Sequence, residues 1–131
     1  MKKLALILIV LMTALSSHAQ LASGSYTVLT WQIANSKKII TDGVFPKETG
    51  ATITVDDDFI ILSFSGYISA MFPQGDWKEQ DDYFYCSTST YKERTLVTLM
   101  LKPVENVEGS WTLTIYYNES HIERFGFYKN K

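Results

Sequence analysis

Several stretches of this sequence carry residue types that could do chemistry. Asp56-Asp57-Asp58 is the densest acidic run, and three neighbouring carboxylates could hold Ca²⁺. A calcium loop needs oxygen ligands on alternate residues and a later bidentate Glu, and both are missing. Adjacent Asp residues between two apolar runs read instead as a solvated turn, so no metal site is assigned. His121 lies two residues from both Glu119 and Glu123, so a carboxylate could orient its ring. A general base also needs a nucleophile within reach, and the adjacent Ser120 offers no useful geometry. His121 therefore reads as an exposed turn residue, and no catalytic residue is assigned. Cys86 has no positive charge near it in sequence to lower its pKa, which makes it a buried core residue before it is a nucleophile. A disulfide between two copies of the chain stays open, because no second Cys exists to pair within one.

The segment Pro73 to Asp82, reading PQGDWKEQDD, is the longest polar connection. Trp77 projects from it among Asp76, Glu79, Asp81 and Asp82. A large aromatic on such a loop either folds back to plug an open end of the fold or touches a ligand or partner. Tyr67, Tyr83, Tyr85, Tyr116 and Tyr117 could supply a stacking platform for a sugar, although Tyr is equally an ordinary strand residue with its hydroxyl at the rim.

Bulk composition narrows the function classes. The 131 residues are 46% hydrophobic and 20% charged, values of an ordinary globular chain. Met1-Lys2-Lys3, the apolar run Leu4 to Leu15 and the small residues Ser17 and Ala19 make a secretory signal peptide, expected over residues 1–19 with cleavage after Ala19. The basic start and the Ala-Gln junction are bacterial in type, so the protein is expected to be exported to the periplasm or the extracellular space. Residues 20–131 then form a single domain. With Lys2 and Lys3 removed, ten basic residues face 14 acids. These basic residues are scattered, which argues against nucleic acid and against anionic membrane surfaces. No second apolar run is long enough for stable membrane insertion. One His remains once His18 leaves with the signal, which removes most zinc sites and His-dependent triads. No cofactor is implied.

Period-two alternation runs from end to end and positions these residues on strands. In the first strand Leu29, Trp31 and Ile33 fall on one face, with Tyr26, Val28 and Thr30 on the other. Further strands are expected at 38–41, 51–55, 59–64, 67–72, 83–87, 94–102, 111–117 and 122–128. Gly66 marks a bulge or turn. The most regular strand places Trp111, Leu113, Ile115 and Tyr117 on one side. No stretch sustains a 3.6-residue period. The fold class is all-β: a small antiparallel up-and-down meander closing as a barrel of about eight strands, with a two-sheet β-sandwich as the alternative.

Gly24-Ser25-Tyr26 at the mouth of the first strand resembles the Gly-x-Trp opening of lipocalin-like (calycin) barrels, with Tyr in place of Trp. Arg124 sits on the last strand, where that family carries an Arg packed across the first-strand aromatic. The resemblance implies an up-and-down barrel whose mouth holds a small apolar ligand, without catalysis. Tyr83-Phe84-Tyr85-Cys86 is similar to the Tyr-x-Cys strand of small periplasmic lysozyme inhibitors, which normally pair their Cys.

Two functional expectations follow. The first is an exported, non-enzymatic barrel binding a small apolar ligand at a mouth roofed by the Trp77 loop. Its cavity would be lined by residues such as Leu29, Trp31, Val97, Leu99 and Trp111, with Trp77, Trp31, Trp111, Tyr83 and Tyr85 as the binding residues. The second is a filled barrel acting as a protein–protein interaction or inhibitor module, docking through an apolar patch near Leu96 and Met100 onto a partner or onto a second copy as a homodimer.

Overall fold

Alternating β-branched and aromatic residues favour strands, and short polar turns let each strand return beside its predecessor. A computed structural model of the chain describes residues 21–46, 50–105 and 107–129. The signal peptide expected at 1–19 lies outside them. Among the described residues ten strands form one antiparallel sheet: β1 (Gly24–Ala34), β2 (Ile39–Val44), β3 (Thr52–Val55), β4 (Phe59–Phe64), β5 (Tyr67–Pro73), β6 (Lys78–Gln80), β7 (Tyr83–Ser89), β8 (Leu96–Pro103), β9 (Ser110–Asn118) and β10 (His121–Lys129). The order across the sheet is β5-β4-β3-β1-β10-β9-β8-β7-β6, with β2 added beside β1. The all-β, up-and-down expectation holds. The strand that sequence reading passed over is β6, three exposed polar residues with no alternation to betray them.

Turn chemistry follows the side chains. Asp56 accepts the backbone N–H groups of Asp58 and Phe59 at 2.8 and 2.7 Å, so this acid run does close the β3–β4 hairpin. Asn35 does the same for Lys37 and Lys38 between β1 and β2, and Asn118 for Ser120 between β9 and β10. Ser65 and Gly66 have φ of 52° and 81°, the paired left-handed conformation of a two-residue hairpin turn. Gly66 is therefore a turn, and the β4–β5 irregularity falls at Leu62/Ser63 instead.

The sheet curls until its two flanks meet. The N–H of Tyr91 donates to the Met71 carbonyl at 2.8 Å, and the Thr88 hydroxyl donates to the Pro73 carbonyl at 2.5 Å, joining β5 to β7 and the connection after it. The enclosed face is filled by side chains. Phe72, Phe127, Ile53, Ile60, Leu62, Leu99, Leu101, Leu113 and Ile115 are all sealed from solvent, and each contributes roughly 1.5–3 kcal/mol by burial. Cys86 lies among them, 1% exposed.

One expectation about β1 is corrected. A β-bulge between Val28 and Thr30 adds Leu29 to the strand without a partner on β10. Beyond it the alternation changes phase, so Trp31 joins Tyr26 and Val28 on the enclosed side and Leu29 is left 41% exposed. Val97 and Leu99 are packed into the core. Leu29, Val97 and Leu99 thus do not share a cavity wall.

The barrel has two ends. The β1–β2, β4–β5 and β9–β10 turns and the β7–β8 connection make the upper end; the β3–β4 and β6–β7 turns and the 74–77 and 104–109 segments make the lower. Leu113→Ala, cutting the centre of the core, should lower unfolding free energy by about 2–5 kcal/mol in denaturant titration, whereas a loss under ~1 kcal/mol would mean a loosely packed interior.

Candidate functional site

The five residues expected to bind a ligand do not converge. Trp77 is at the lower end, half-buried and packed against the core. Its Nε1 donates to Gln74 Oε1 at 2.8 Å; Gln74 in turn donates its side-chain amide to the Asp56 carbonyl and its N–H to the Asp58 carbonyl at 2.8 Å. The indole and its hydrogen bonds close that end, so the Pro73–Asp82 segment is a plug rather than a lid over a mouth. Trp111 is also low, beside a shallow depression of about 420 Å³ formed with Pro103, Val104 and Val107. Tyr83 and Tyr85 have rings 6.1 Å apart, but they alternate with the core residue Cys86 and so point outward from β7. Only Trp31 reaches the upper end.

There the packing is different. Trp31 stands opposite Gly43 of β2, and its ring occupies the space over that glycine: a Cβ at 43 would sit 2.7 Å from Trp31 Cζ2. Phe45 and Phe64 stack with centroids 5.0 Å apart and planes 21° from parallel. Phe64 reaches Phe125 at 6.1 Å. These four rings, with Ile33 and Glu123, border a cleft of about 250 Å³. A second cleft, about 430 Å³, opens where β5 meets the β7–β8 connection; Ile68, Ala70, Met71, Tyr91 and Tyr117 are among its walls.

A polar group lies between the clefts. His121 Nε2 is 2.7 Å from Glu123 Oε2, and the His121 ring meets Tyr117 nearly edge-on at 4.9 Å. Burial, and then the negative charges of Glu123 and Glu93, push the Tyr117 hydroxyl up to about 12. It therefore stays a neutral donor at any physiological pH. His121 is half-buried in this group and not simply a turn residue. The arrangement can grip an apolar or aromatic body on the rings and hydrogen-bond its polar end. Cys86 is remote from it, on the enclosed face of β7, and burial raises its pKa so that it remains a thiol.

Residue alternation could not reveal Phe45, Phe64, Phe125, Glu123 and Tyr117 as one group, because they come from three strands and the segment after β2. The single local signal was Glu123 two residues from His121. Expectations drawn from family likeness meet a different arrangement. Arg124 pairs with Gln32 and donates to its Oε1 at 2.8 Å. Tyr26 stands opposite Lys129, edge-on to Phe127 at 5.5 Å, and gives its hydroxyl proton to the Ala22 carbonyl. Arg124 therefore does not cross the first-strand aromatic. Of the outward pair Leu96 and Met100, Leu96 is exposed while Met100 is half-covered opposite Tyr85. Comparison with known families, curated proteins and solved structures gives no match to this chain.

Tyr117 supplies a pH test. Its folded pKa of about 12 lies above the unfolded value of 10.0, so its share of stability is complete below about pH 10 and disappears as pH rises through 12. Ultraviolet titration of the folded protein should show a phenolate forming near pH 12, and Tyr117→Phe should remove it and soften the alkaline loss of stability. An unchanged alkaline limb in that variant would place Tyr117 in water.

Proposed function

We propose that this protein is an exported, non-enzymatic β-barrel that holds a small apolar or aromatic molecule at its upper mouth. The observation that carries this reading is the convergence of Trp31, Phe45, Phe64 and Phe125 around an open cleft beside a polar His121–Glu123–Tyr117 group. Aromatic walls with a few directed polar groups suit a small-molecule site. The core beneath is packed, so the ligand rests in the mouth and does not enter the barrel. Export rests on the leader read in residues 1–19.

Catalysis gains no support from this geometry. His121 is paired with Glu123, and the chain's thiol is buried elsewhere. The inhibitor reading rests on a continuous apolar patch around Leu96 and Met100, and the outer face of β8 offers one exposed side chain there.

Titration with a fluorescent apolar probe such as an anilinonaphthalene tests the proposal. Trp31→Ala and Phe64→Ala should each weaken binding by about tenfold, equivalent to ~1.4 kcal/mol of lost ring contact. Trp77→Ala, at the other end, should lower stability and leave probe affinity within about twofold, as expected of a ring that plugs rather than binds. The reverse pattern, with affinity following Trp77 and not Trp31, would move the site to the lower end.

A further inference from the structure

Exposed large apolar side chains are unevenly placed on this barrel. Ile39 and Ile40 open β2, Tyr67 and Ile68 open β5, and Leu96 opens β8, all at the upper end, where Tyr67 and Leu96 are each 80% exposed; Leu29 and Val44 lie between the ends, and the lower end exposes Val104 and Val107. Tyr91, also exposed, lies on the β7–β8 connection. They make three groups on the upper rim, prongs rather than a sheet of apolar surface; Ile68 and Tyr91 face each other across the cleft of about 430 Å³, and the Tyr91 ring rests edge-on against Phe59. Two of the three are flanked by cations: Lys37 and Lys38 beside Ile39, Lys92 and Arg94 beside Tyr91.

Charge is divided along the same axis. The lower end carries nine of the carboxylates among the described residues, on the Asp56–Asp58 turn, the Asp76–Asp82 stretch and the loop holding Glu105 and Glu108. Lys78, Lys102 and Lys129 are its cations, and Lys102 is tied to Asp82 at 3.3 Å. On the upper rim the four cations outnumber Asp42, Glu93 and Glu119, while Glu123 is turned in toward His121. The barrel is a dipole: its lower end is strongly acidic, and the apolar mouth end, with as many cations as carboxylates once Glu123 is counted, is the positive pole only relative to it.

We infer that the upper rim docks peripherally on an anionic lipid surface, mouth toward the bilayer. A stable protein partner needs a continuous and complementary patch, and three prongs around a hollow do not make one. A bilayer interface yields locally around each prong. Ile and Leu side chains enter its apolar edge, Tyr rings lie at headgroup level, and Lys and Arg stems extend to the phosphates. The acidic end is repelled and faces away, which orients the molecule. No strand crosses the membrane. Docking uses the rim and stands without a ligand. Where the mouth reading also holds, it makes the ligand an amphiphile taken from the lipid, apolar body against the rings and polar head toward His121, Glu123 and Tyr117.

Vesicle flotation tests this directly. The protein should float with vesicles of phosphatidylcholine containing about one-quarter phosphatidylglycerol, more weakly with phosphatidylcholine alone, and less in high salt. Tyr67→Ser with Ile68→Ser, and separately Lys92→Glu with Arg94→Glu, should each reduce flotation by about tenfold with melting temperature unchanged, since all four side chains are exposed. Lys78→Glu with Lys129→Glu makes the same change in net charge at the lower end and should leave flotation as it was. Trp31→Ala should lose the soluble probe and keep the vesicles, which separates failure of the mouth from failure of the rim. Absence of flotation with either lipid, or equal loss from the upper and lower charge reversals, would overturn the inference; so would capture by a protein that the rim variants do not weaken.

Discussion

A single extra residue in β1 governs the upper end of this barrel. Leu29 has no partner on β10, and the strand must bulge there. The bulge turns Trp31 inward and separates β1 into two parts, the first pairing with β3 and the second with β2 on the same edge. Had the strand run straight, Trp31 would face solvent beside Leu29, and Thr30 would face the core. The divided edge lets β2 rise away from β3 and carries Phe45 back against Phe64. Two glycines accept the resulting geometry. Gly43 clears the Trp31 ring, and Gly126 lies so close to the Thr30 hydroxyl that any Cβ would collide with it. At Gly43 a side chain would have to displace the Trp31 ring, whereas at Gly126 the Thr30 hydroxyl would have to turn away.

Much of the fold was legible because alternation and turn chemistry agree along the chain. Trp111, Leu113, Ile115 and Tyr117 face one way as their spacing requires, and Asp56, Asn35 and Asn118 mark hairpins through side-chain acceptance of backbone N–H groups. Local agreement of this kind narrows the choice of fold. What escaped was non-local. The bulge leaves no signature in Leu29 itself, and a one-residue phase change reverses every later side chain on the strand. Lys78-Glu79-Gln80 becomes a strand only because β7 offers an edge to it. The binding residues read from the sequence were Trp77 on a loop and four large aromatics on strands, and residue type alone cannot say at which end of a barrel each one lies. Trp77 and Trp31 consequently belonged to one imagined site and occupy opposite ends.

Charge shows the same limit. Ten scattered basic residues and a mild net negative charge describe an unremarkable surface when averaged along the chain. Up-and-down topology redistributes them, because alternate connections collect at alternate ends. Connections rich in Asp and Glu fall at the lower end, and those carrying Lys37, Lys38, Lys92 and Arg94 fall at the upper one. Polarity of this sort is a property of connection parity, invisible to net charge and to any search for basic runs.

The two ends also close by different physics. At the lower end Trp77 is held by Gln74, and Gln74 by the backbone of the β3–β4 turn, so an aromatic cover is fixed by hydrogen bonds at both hands. Directional bonds define one geometry and leave few states to occupy. At the upper end the rings meet one another by stacking and tilted contact, which constrains separation more than orientation. Trp31, Phe45 and Phe64 pack on the core that holds Leu99, Leu113 and Ile115, so one packed interior joins an end fixed by directional bonds to an end closed by ring contacts alone.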